Sequence, residues 1–194
     1  MNLKIHSELP ERKDWRIGCV GSGFIMSDCH LVAYGKAGFN PVAIASRTQA
    51  NAATCAEAHN IGTVHSTIDQ LLDDESIEVL DLAVPPDNQL EIIKAACARG
   101  TAKGILAQKP LGANYAEAVE AVEACEAAGI VLAVNQNMRY DQSVRAGKTL
   151  LENGTIGDPV LATIDMRGIP HWMPWQERQG WVTLRIMSIH HMDT

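Results

Sequence analysis

The chain has no excess of positive charge and no long apolar run. Its 194 residues carry 16 lysines and arginines against 23 aspartates and glutamates, a net charge of −7, and the basic residues form no cluster. We therefore expect neither a nucleic-acid partner nor an anionic membrane surface as partner. No run approaches the ~18 apolar residues that a membrane-spanning helix needs, so the sequence predicts no membrane span.

The sequence also has no paired-cysteine motif. Its five cysteines are scattered and form no CxxC pair. Disulfide frameworks are typical of small secreted domains with even cysteine counts, so we expect reduced thiols in a reducing compartment. The N-terminal residues 1–15 contain no apolar core of the kind found in secretory signals. Both absences favour a cytoplasmic protein.

What the chain does contain is a regular alternation of short apolar runs and helical patterns, beginning at Trp15. Such alternation is typical of βαβ units, which build a doubly wound parallel sheet. The predicted strands are Arg16–Gly21, Pro41–Ser46, Thr63–His65, Glu78–Val84, Lys103–Ala107 and Ile130–Asn135.

Capping residues divide the segments between these strands into helices. The predicted signals are an N-cap at Ser66, a start at Pro86 with an end at Gly100, and an Asn114–Glu117 capping box with an end at Gly129. In the last helix we expect the residues at helical spacing to face the core, namely Tyr115, Ala118, Val119, Val122 and Cys125.

The pattern changes after Asn137. A helix over 142–153 and a strand over 159–167 follow, and a loop rich in Trp and Pro contains Trp172 and Trp175. One helix and one strand do not make a domain, because a lone strand leaves both edges unpaired. We predict an N-terminal extension (1–14), a dinucleotide-binding domain (15–136) and an incomplete second α/β domain (137–194) for substrate binding and oligomerisation.

A glycine turn follows the first predicted strand. Gly21 permits a tight turn from strand to helix, and Gly23 lets the backbone approach a pyrophosphate at the start of the helix near Phe24 and Ile25. Met26 stands where a third glycine is usual, so we expect looser packing of this helix on its strand. A GxG between a strand and a helix, at the start of six βα units, predicts dinucleotide binding.

The second strand ends in Ser46 and Arg47, with no carboxylate to bind a ribose 2′-hydroxyl. Arg47 is suited to clamp a 2′-phosphate, which favours NADP slightly over NAD. The alternative is that Arg47 stacks on adenine and that either cofactor binds.

The fifth strand ends in Gln108-Lys109-Pro110. Ligands of open α/β sheets bind outside the carboxyl ends of parallel strands, and the proline restricts the backbone of the lysine before it. Lys109 is therefore a candidate functional residue.

Asp81 lies inside the apolar fourth strand, and we interpret it as a structural carboxylate. His190, His191 and Asp193 are poorly spaced for a metal site, so we predict no metal.

An ordered set of motifs along the chain resembles the glucose–fructose oxidoreductase / inositol dehydrogenase (Gfo/Idh/MocA) family. In chain order the motifs are the glycine turn, Ser46-Arg47, Pro85-Pro86, Gln108-Lys109-Pro110, residues 134–140 and Asn153-Gly154-Thr155-Ile156-Gly157. The resemblance covers residues 16–194. It implies an N-terminal Rossmann domain and a C-terminal α/β domain. It also implies hydride transfer between NAD or NADP and a carbinol carbon of a sugar, cyclitol or related polyol.

The resemblance assigns roles to matching residues. Lys109 and His190 are the implied catalytic pair, although Gln108 stands where the family has glutamate and Ile186 where it has aspartate. The implied cofactor-binding residues are Gly21, Gly23, Phe24, Ile25, Ser46, Arg47, Pro85, Asn88, Gln108, Lys109 and Asn137.

Two other classes stay open at this point. Ile186 also fits a cofactor-binding sensor or regulator without turnover, and the chain end at Thr194 fits an inactive fragment. We expect the 194-residue form to be weakly active at most, because the sheet supporting His190 is incomplete. We expect the full-length protein to be a homo-oligomer.

Overall fold

Short runs of β-branched and small apolar residues form six parallel strands, as the alternation predicts. They are β1 (Ile17–Val20), β2 (Ala43–Ala45), β3 (Thr63–Val64), β4 (Val79–Leu82), β5 (Gly104–Gln108) and β6 (Val131–Asn135). They lie in the order β3-β2-β1-β4-β5-β6. This doubly wound α/β sheet confirms the predicted fold class, and the strands are mostly shorter than predicted at their ends.

The structure, a computed structural model, describes residues 3, 5–165 and 188–193. The chain divides into two compact units. The first is Leu9–Asn135, and the second combines Met1–Glu8 with Gln136–Thr194.

Helices connect consecutive strands of the first unit. A π-helix (Ile25–His30) runs directly into α1 (Leu31–Ala37), and α2 (Gln49–His59) and α3 (Ile68–Leu72) follow. A 3₁₀ turn at Pro86–Asn88 leads into α4 (Gln89–Arg99), and α5 (Tyr115–Ala128) precedes β6. The second unit contains a 3₁₀ helix (Asn137–Tyr140), α6 (Gln142–Glu152) and a short helix, Ile189–Asp193.

Most predicted helix ends are confirmed. Asn114 Oδ1 accepts the Glu117 N–H at 3.1 Å, and Gly100 and Gly129 end α4 and α5 with φ values of 65° and 68°. The N-cap of α3 was predicted one residue too early. Thr67 Oγ1 accepts the Gln70 N–H at 3.1 Å, because Thr67 is the extended residue before the helix.

The core has one layer on each side of the sheet. Val20, Leu82, Ile93 and Ile105 belong to one layer, and Ile44 and Met26 to the other. The stripe predicted for α5 is partly wrong, since Tyr115 is 85% exposed and Val122 39% exposed. Cys125 is buried as predicted, and the helix also buries Ala121, which the predicted stripe did not include.

The strand predicted over 159–167 is absent from its described part, residues 159–165. Among the described residues no strand pairs with this segment, so its backbone hydrogen bonds have no ladder to join and its alternating pattern does not suffice. The helix predicted beside it is confirmed as α6, and Gly154 follows it with φ 66°.

Candidate active site

The carboxyl ends of three neighbouring strands lie together in the first unit. β1, β4 and β5 are neighbours and parallel, so the glycine turn, the Pro85–Asn88 loop and Lys109 leave the same edge of the sheet. The chain order reverses between β1 and β4, because β1 is followed on its other side by β2. Ligands of open α/β sheets bind at such a switch point.

The two glycines of the turn are required for different reasons. Gly21 has φ +102°, and a Cβ there would lie 2.5 Å from the carbonyl oxygen of Ala83. Its N–H donates to Ala45 O at 2.8 Å, so this turn is fixed by the protein itself. A Cβ at Gly23 would meet no protein atom within 4 Å. The backbone at Gly23, at the start of a continuous helical segment, is therefore open on the side where a Cβ would lie.

Met26 replaces the third glycine and is fully buried. The helix around it is π-helical, which is wider than an α-helix. The looser packing expected at this position stays a prediction, since Met26 is packed in the core and the helix that holds it is π-helical.

The end of β2 is adjacent to the glycine turn because β2 pairs with β1. Ser46 is half-buried and Arg47 is exposed. Pro85 and Asn88, in the loop after β4, are both exposed. These positions leave their side chains accessible to a dinucleotide.

Lys109 is half-buried directly after β5. Burial lowers the pKa of Lys109 from its ordinary value of 10.5 to about 8, since a charged ammonium group is disfavoured away from water. The sequence predicted the position of this lysine, and the structure adds the desolvation. Gln108 Oε1 accepts the backbone N–H of Lys109 at 3.0 Å, so this amide supports the lysine's own backbone.

Gln89 holds the loop after Lys109. This residue is fully buried at the start of α4, and its Nε2 donates to the carbonyl oxygen of Pro110 at 2.7 Å. The bond joins the β4–α4 connection to the Lys109–Pro110 segment, whose peptide bond is cis. Sequence reasoning did not single out Gln89, because nothing in its neighbourhood signals a partner 21 residues away.

Gln89→Leu is expected to lower the free energy of unfolding by about 1–3 kcal/mol, because it leaves the Pro110 carbonyl without its donor. Gln49→Leu is the matched control, since Gln49 donates to Ser66 Oγ at 3.2 Å on the surface. That control should change stability by less than about 0.5 kcal/mol. Urea unfolding of both variants checks the difference, and equal losses would contradict an anchoring role for Gln89.

The second unit holds the other predicted site residues. Asn137 is exposed at the start of its 3₁₀ helix, and His190 is buried in the helix Ile189–Asp193. Arg139 Nε lies 3.2 Å from Asp193 Oδ2, which joins these two segments. Trp172, Trp175 and Ile186 lie outside the described residues.

Within the described ranges, no three or more His, Cys, Asp or Glu residues are grouped so as to hold a metal ion. A search of the helices over the same residues finds none with the length and apolarity to cross a membrane.

Residues 15–136 match a family described as oxidoreductases with an NAD-binding Rossmann fold, GFO_IDH_MocA. The chain belongs to this family. The match confirms the resemblance to the Gfo/Idh/MocA family and, through the family's description, a nicotinamide dinucleotide as the cofactor.

Two curated Gfo/Idh/MocA relatives align along most of the chain. It is 28% identical to 1,5-anhydro-D-fructose reductase of Ensifer adhaerens, over 92% of this chain and 55% of the relative. It is 25% identical to D-apiose dehydrogenase of Paraburkholderia graminis, over 93% of this chain and 48% of the relative. The chain therefore spans about half the length of these relatives.

Solved structures agree with this membership. Levoglucosan dehydrogenase in complex with NADH and L-sorbose has a TM-score of 0.68 at 29% identity, covering 75% of this chain and 41% of that one. An oxidoreductase from Thermotoga maritima has a TM-score of 0.78 over 92% of this chain and 57% of that one, at 23% identity, which supports the fold alone.

Proposed function

We propose that this chain forms the cofactor-binding edge of an oxidoreductase acting on a carbinol carbon of a sugar, cyclitol or related polyol. The proposal is carried by the surroundings of Lys109. This lysine is half-buried at the carboxyl ends of the strands, where the glycine turn also lies, and its pKa is lowered to about 8. Enzymes place groups with strongly shifted pKa values where protons move. The named sugar enzymes among the relatives support the substrate class.

The residues around the switch point suit a bound nicotinamide dinucleotide. The Gly21–Gly23 turn and the backbone at Phe24 and Ile25 would hold the pyrophosphate. Ser46 and Arg47 would contact the adenosine ribose, while Pro85, Asn88, Gln108 and Lys109 would lie along the nicotinamide half. Asn137, in the second unit, is proposed as a further cofactor-binding residue. The nicotinamide ring, when bound, supplies the acceptor or donor of the hydride.

Lys109 would accept or donate the proton of the reacting hydroxyl group. As a neutral amine, its Nζ accepts that proton during oxidation of the carbinol. As an ammonium, it returns the proton during reduction and stabilises the developing alkoxide. A pKa near 8 makes both forms available near neutral pH. His190, the second catalytic residue implied by the resemblance, is proposed as an alternative base, because a histidine ring nitrogen can accept a proton.

The test is reduction of NAD⁺ and NADP⁺, followed by absorbance, against a panel of sugars and cyclitols. Turnover that Lys109→Ala abolishes supports the proposal. Cofactor binding without turnover on any substrate would favour the regulator alternative, which Ile186 in place of the family's aspartate motivates. Failure to bind either dinucleotide would contradict both functions.

Arg47→Ala is expected to weaken NADP binding at least tenfold and to leave NAD binding within about twofold. A charge-assisted contact contributes roughly 1.5–3 kcal/mol, and 1.4 kcal/mol corresponds to a factor of ten. Lys36→Ala, which removes another exposed cation, is the matched control and should alter neither affinity. Calorimetric titration measures the six affinities, for the wild type and both variants with each cofactor. An equal loss for both cofactors would show that Arg47 stacks on adenine.

A further inference from the structure

A buried hydrogen-bonded network lies beside the site and takes no part in the proposed chemistry. Asp81, in the centre of β4, is fully buried, and its two carboxylate oxygens lie 3.0 and 2.9 Å from His30 Nδ1. The hydroxyl of Tyr34 donates to Asp81 Oδ2 at 2.7 Å. On the other side of the ring, His30 Nε2 lies 2.8 Å from Asn135 Nδ2. We call these four residues the Asp81 network.

One arrangement of hydrogens satisfies the whole network. A carboxylate only accepts hydrogen bonds, so the hydrogen of the His30 ring lies on Nδ1 and is donated to Asp81. The Nε2 atom then accepts from the Asn135 side chain, whose Nδ2 faces it. Burial raises the pKa of Tyr34, with the Asp81 charge adding to the effect, so the hydroxyl stays a donor. Asp81 thereby fixes the tautomer and the direction of His30, and His30 fixes the side chain of Asn135.

The network joins the segment after the glycine turn, which the proposed function assigns to the pyrophosphate, to the strand beside Lys109, which it assigns to the nicotinamide half. His30 is the last residue of the π-helix that follows the glycine turn. Asn135 is the last residue of β6 and is the register partner of Gln108, the residue before Lys109. β6 is at the edge of the sheet and has β5 as its strand neighbour, so a bond from a helix adds a constraint to its end.

Stability alone is a weak reason for this arrangement. Replacing a buried charged group and its partners with apolar residues is often neutral or stabilising. A fully buried carboxylate in a central strand therefore points to a requirement for geometry.

We propose that His30, oriented by Asp81, is a positioning residue that holds Asn135 and thereby fixes the Lys109 segment relative to the glycine turn. The inference rests on the proposed function of Lys109. The physical link is the pairing of β5 with β6. Asn135 pairs with Gln108 in this ladder, so fixing Asn135 also restrains Gln108, which immediately precedes the lysine.

Substitutions at position 30 separate the two hydrogen bonds of the ring. His30→Asn places an amide near the Nδ1 position, which retains the bond to Asp81 and loses the bond to Asn135. His30→Gln places an amide near the Nε2 position, which retains the bond to Asn135. Asn135→Leu removes the same bond from the strand side. Tyr34→Phe is the matched control, because it removes a bond to the same carboxylate without affecting the connection to β6.

The primary measurement is the pKa of Lys109 in the cofactor-free protein. It is obtained by competitive acetylation with acetic anhydride at a series of pH values, read by mass spectrometry. The wild-type value is expected near 8. In His30→Asn and Asn135→Leu we expect an increase of about one unit or more toward 10.5, because a loosened segment admits water to the amine. Tyr34→Phe should stay within about 0.3 units of the wild type, and His30→Gln should shift the pKa less than His30→Asn does, because it keeps the bond to Asn135 but not the bond to Asp81.

The second measurement is titration with NADH, which separates this proposal from the proposed function. If the wild type fails to bind NADH, the proposed function fails, while the Lys109 pKa still reports on positioning. Thermal unfolding of each variant defines the temperature at which it is labelled in its folded state. An unchanged Lys109 pKa in both His30→Asn and Asn135→Leu would overturn the proposal. A shift in Tyr34→Phe as large as that in His30→Asn would also overturn it, because the effect would then be general loosening of the core.

Discussion

Gly23→Val is expected to leave the protein folded and to weaken dinucleotide binding by at least about 100-fold, which corresponds to about 2.7 kcal/mol. The space beside Gly23 contains no protein atom within 4 Å of the position a Cβ would take, so the added side chain meets no protein group. It would instead occupy the volume that a pyrophosphate needs at the start of the helix. Calorimetric titration with NADH and NADPH measures the loss.

Gly21→Ala supplies the contrasting variant. Its φ of +102° is unfavourable for a side chain, and the new Cβ would lie 2.5 Å from the Ala83 carbonyl oxygen. We expect it to lower the free energy of unfolding by more than about 2 kcal/mol. Thermal unfolding should therefore distinguish the two glycines, one needed by the protein and one by the ligand. Unchanged cofactor affinity in folded Gly23→Val would contradict the assignment of the pyrophosphate site.

Lys109→Met is expected to lower turnover by about 10²–10⁴-fold and to leave NADH affinity within a few-fold of the wild type. Because the pKa of Lys109 is lowered to about 8, the neutral amine becomes the major form above that pH. The rate of carbinol oxidation should therefore rise between pH 7 and 9 and then level off. The rate of carbonyl reduction should fall through the same interval, because it uses the ammonium form.

The same pKa shift predicts the effect of Lys109 on stability. Below pH 8 the folded protein holds a charged amine in a partly dehydrated place, which is unfavourable. Between pH 8 and 10.5 the folded state has released the proton while the unfolded chain still binds it, so this unfavourable contribution diminishes as the pH rises. Lys109→Met should thus be at least as stable as the wild type at pH 7.

Lys103→Met is the control for the loss of a lysine near β5. Lys103 precedes the strand at its opposite end and forms an exposed ion pair with Glu78 at 2.7 Å. Its removal should leave turnover and the pH profile unchanged. If Lys109→Met retained full turnover, or if the pH profile survived the substitution, the lysine would have no part in the reaction.

The strands and the edge that carries the site were predictable because each depends on local pattern. The apolar runs at β1, β4 and β5 are bounded by turn residues, and each is followed by a residue of clear chemical character, Gly21, Pro85 or Lys109. The N-cap at Thr67 was missed by one residue, since Ser66 and Thr67 are both acceptable caps and the backbone chooses between them. The stripe on α5 is wrong at Tyr115 and Val122 because the face that α5 buries is set by its packing against α4, which the periodicity of α5 alone does not reveal.

The pKa of Lys109 and the Asp81 network were beyond prediction for a different reason. Asp81 in an apolar run indicates that a polar partner is needed, and its structural role is confirmed by its hydrogen bonds. The identity of that partner depends on tertiary structure, since His30 is 51 positions from Asp81 and 105 from Asn135. The burial of Lys109 is likewise a property of the folded loop and not of its sequence.

The most direct test of this account is acetylation of Lys109 across a pH series, with and without NADH. The account predicts a midpoint near pH 8 in the free protein and marked protection of Lys109 when NADH is bound, while Lys103 is acetylated equally in both conditions. A midpoint near the ordinary lysine value of 10.5, with no protection by NADH or NADPH, would contradict the placement of Lys109 in a cofactor site.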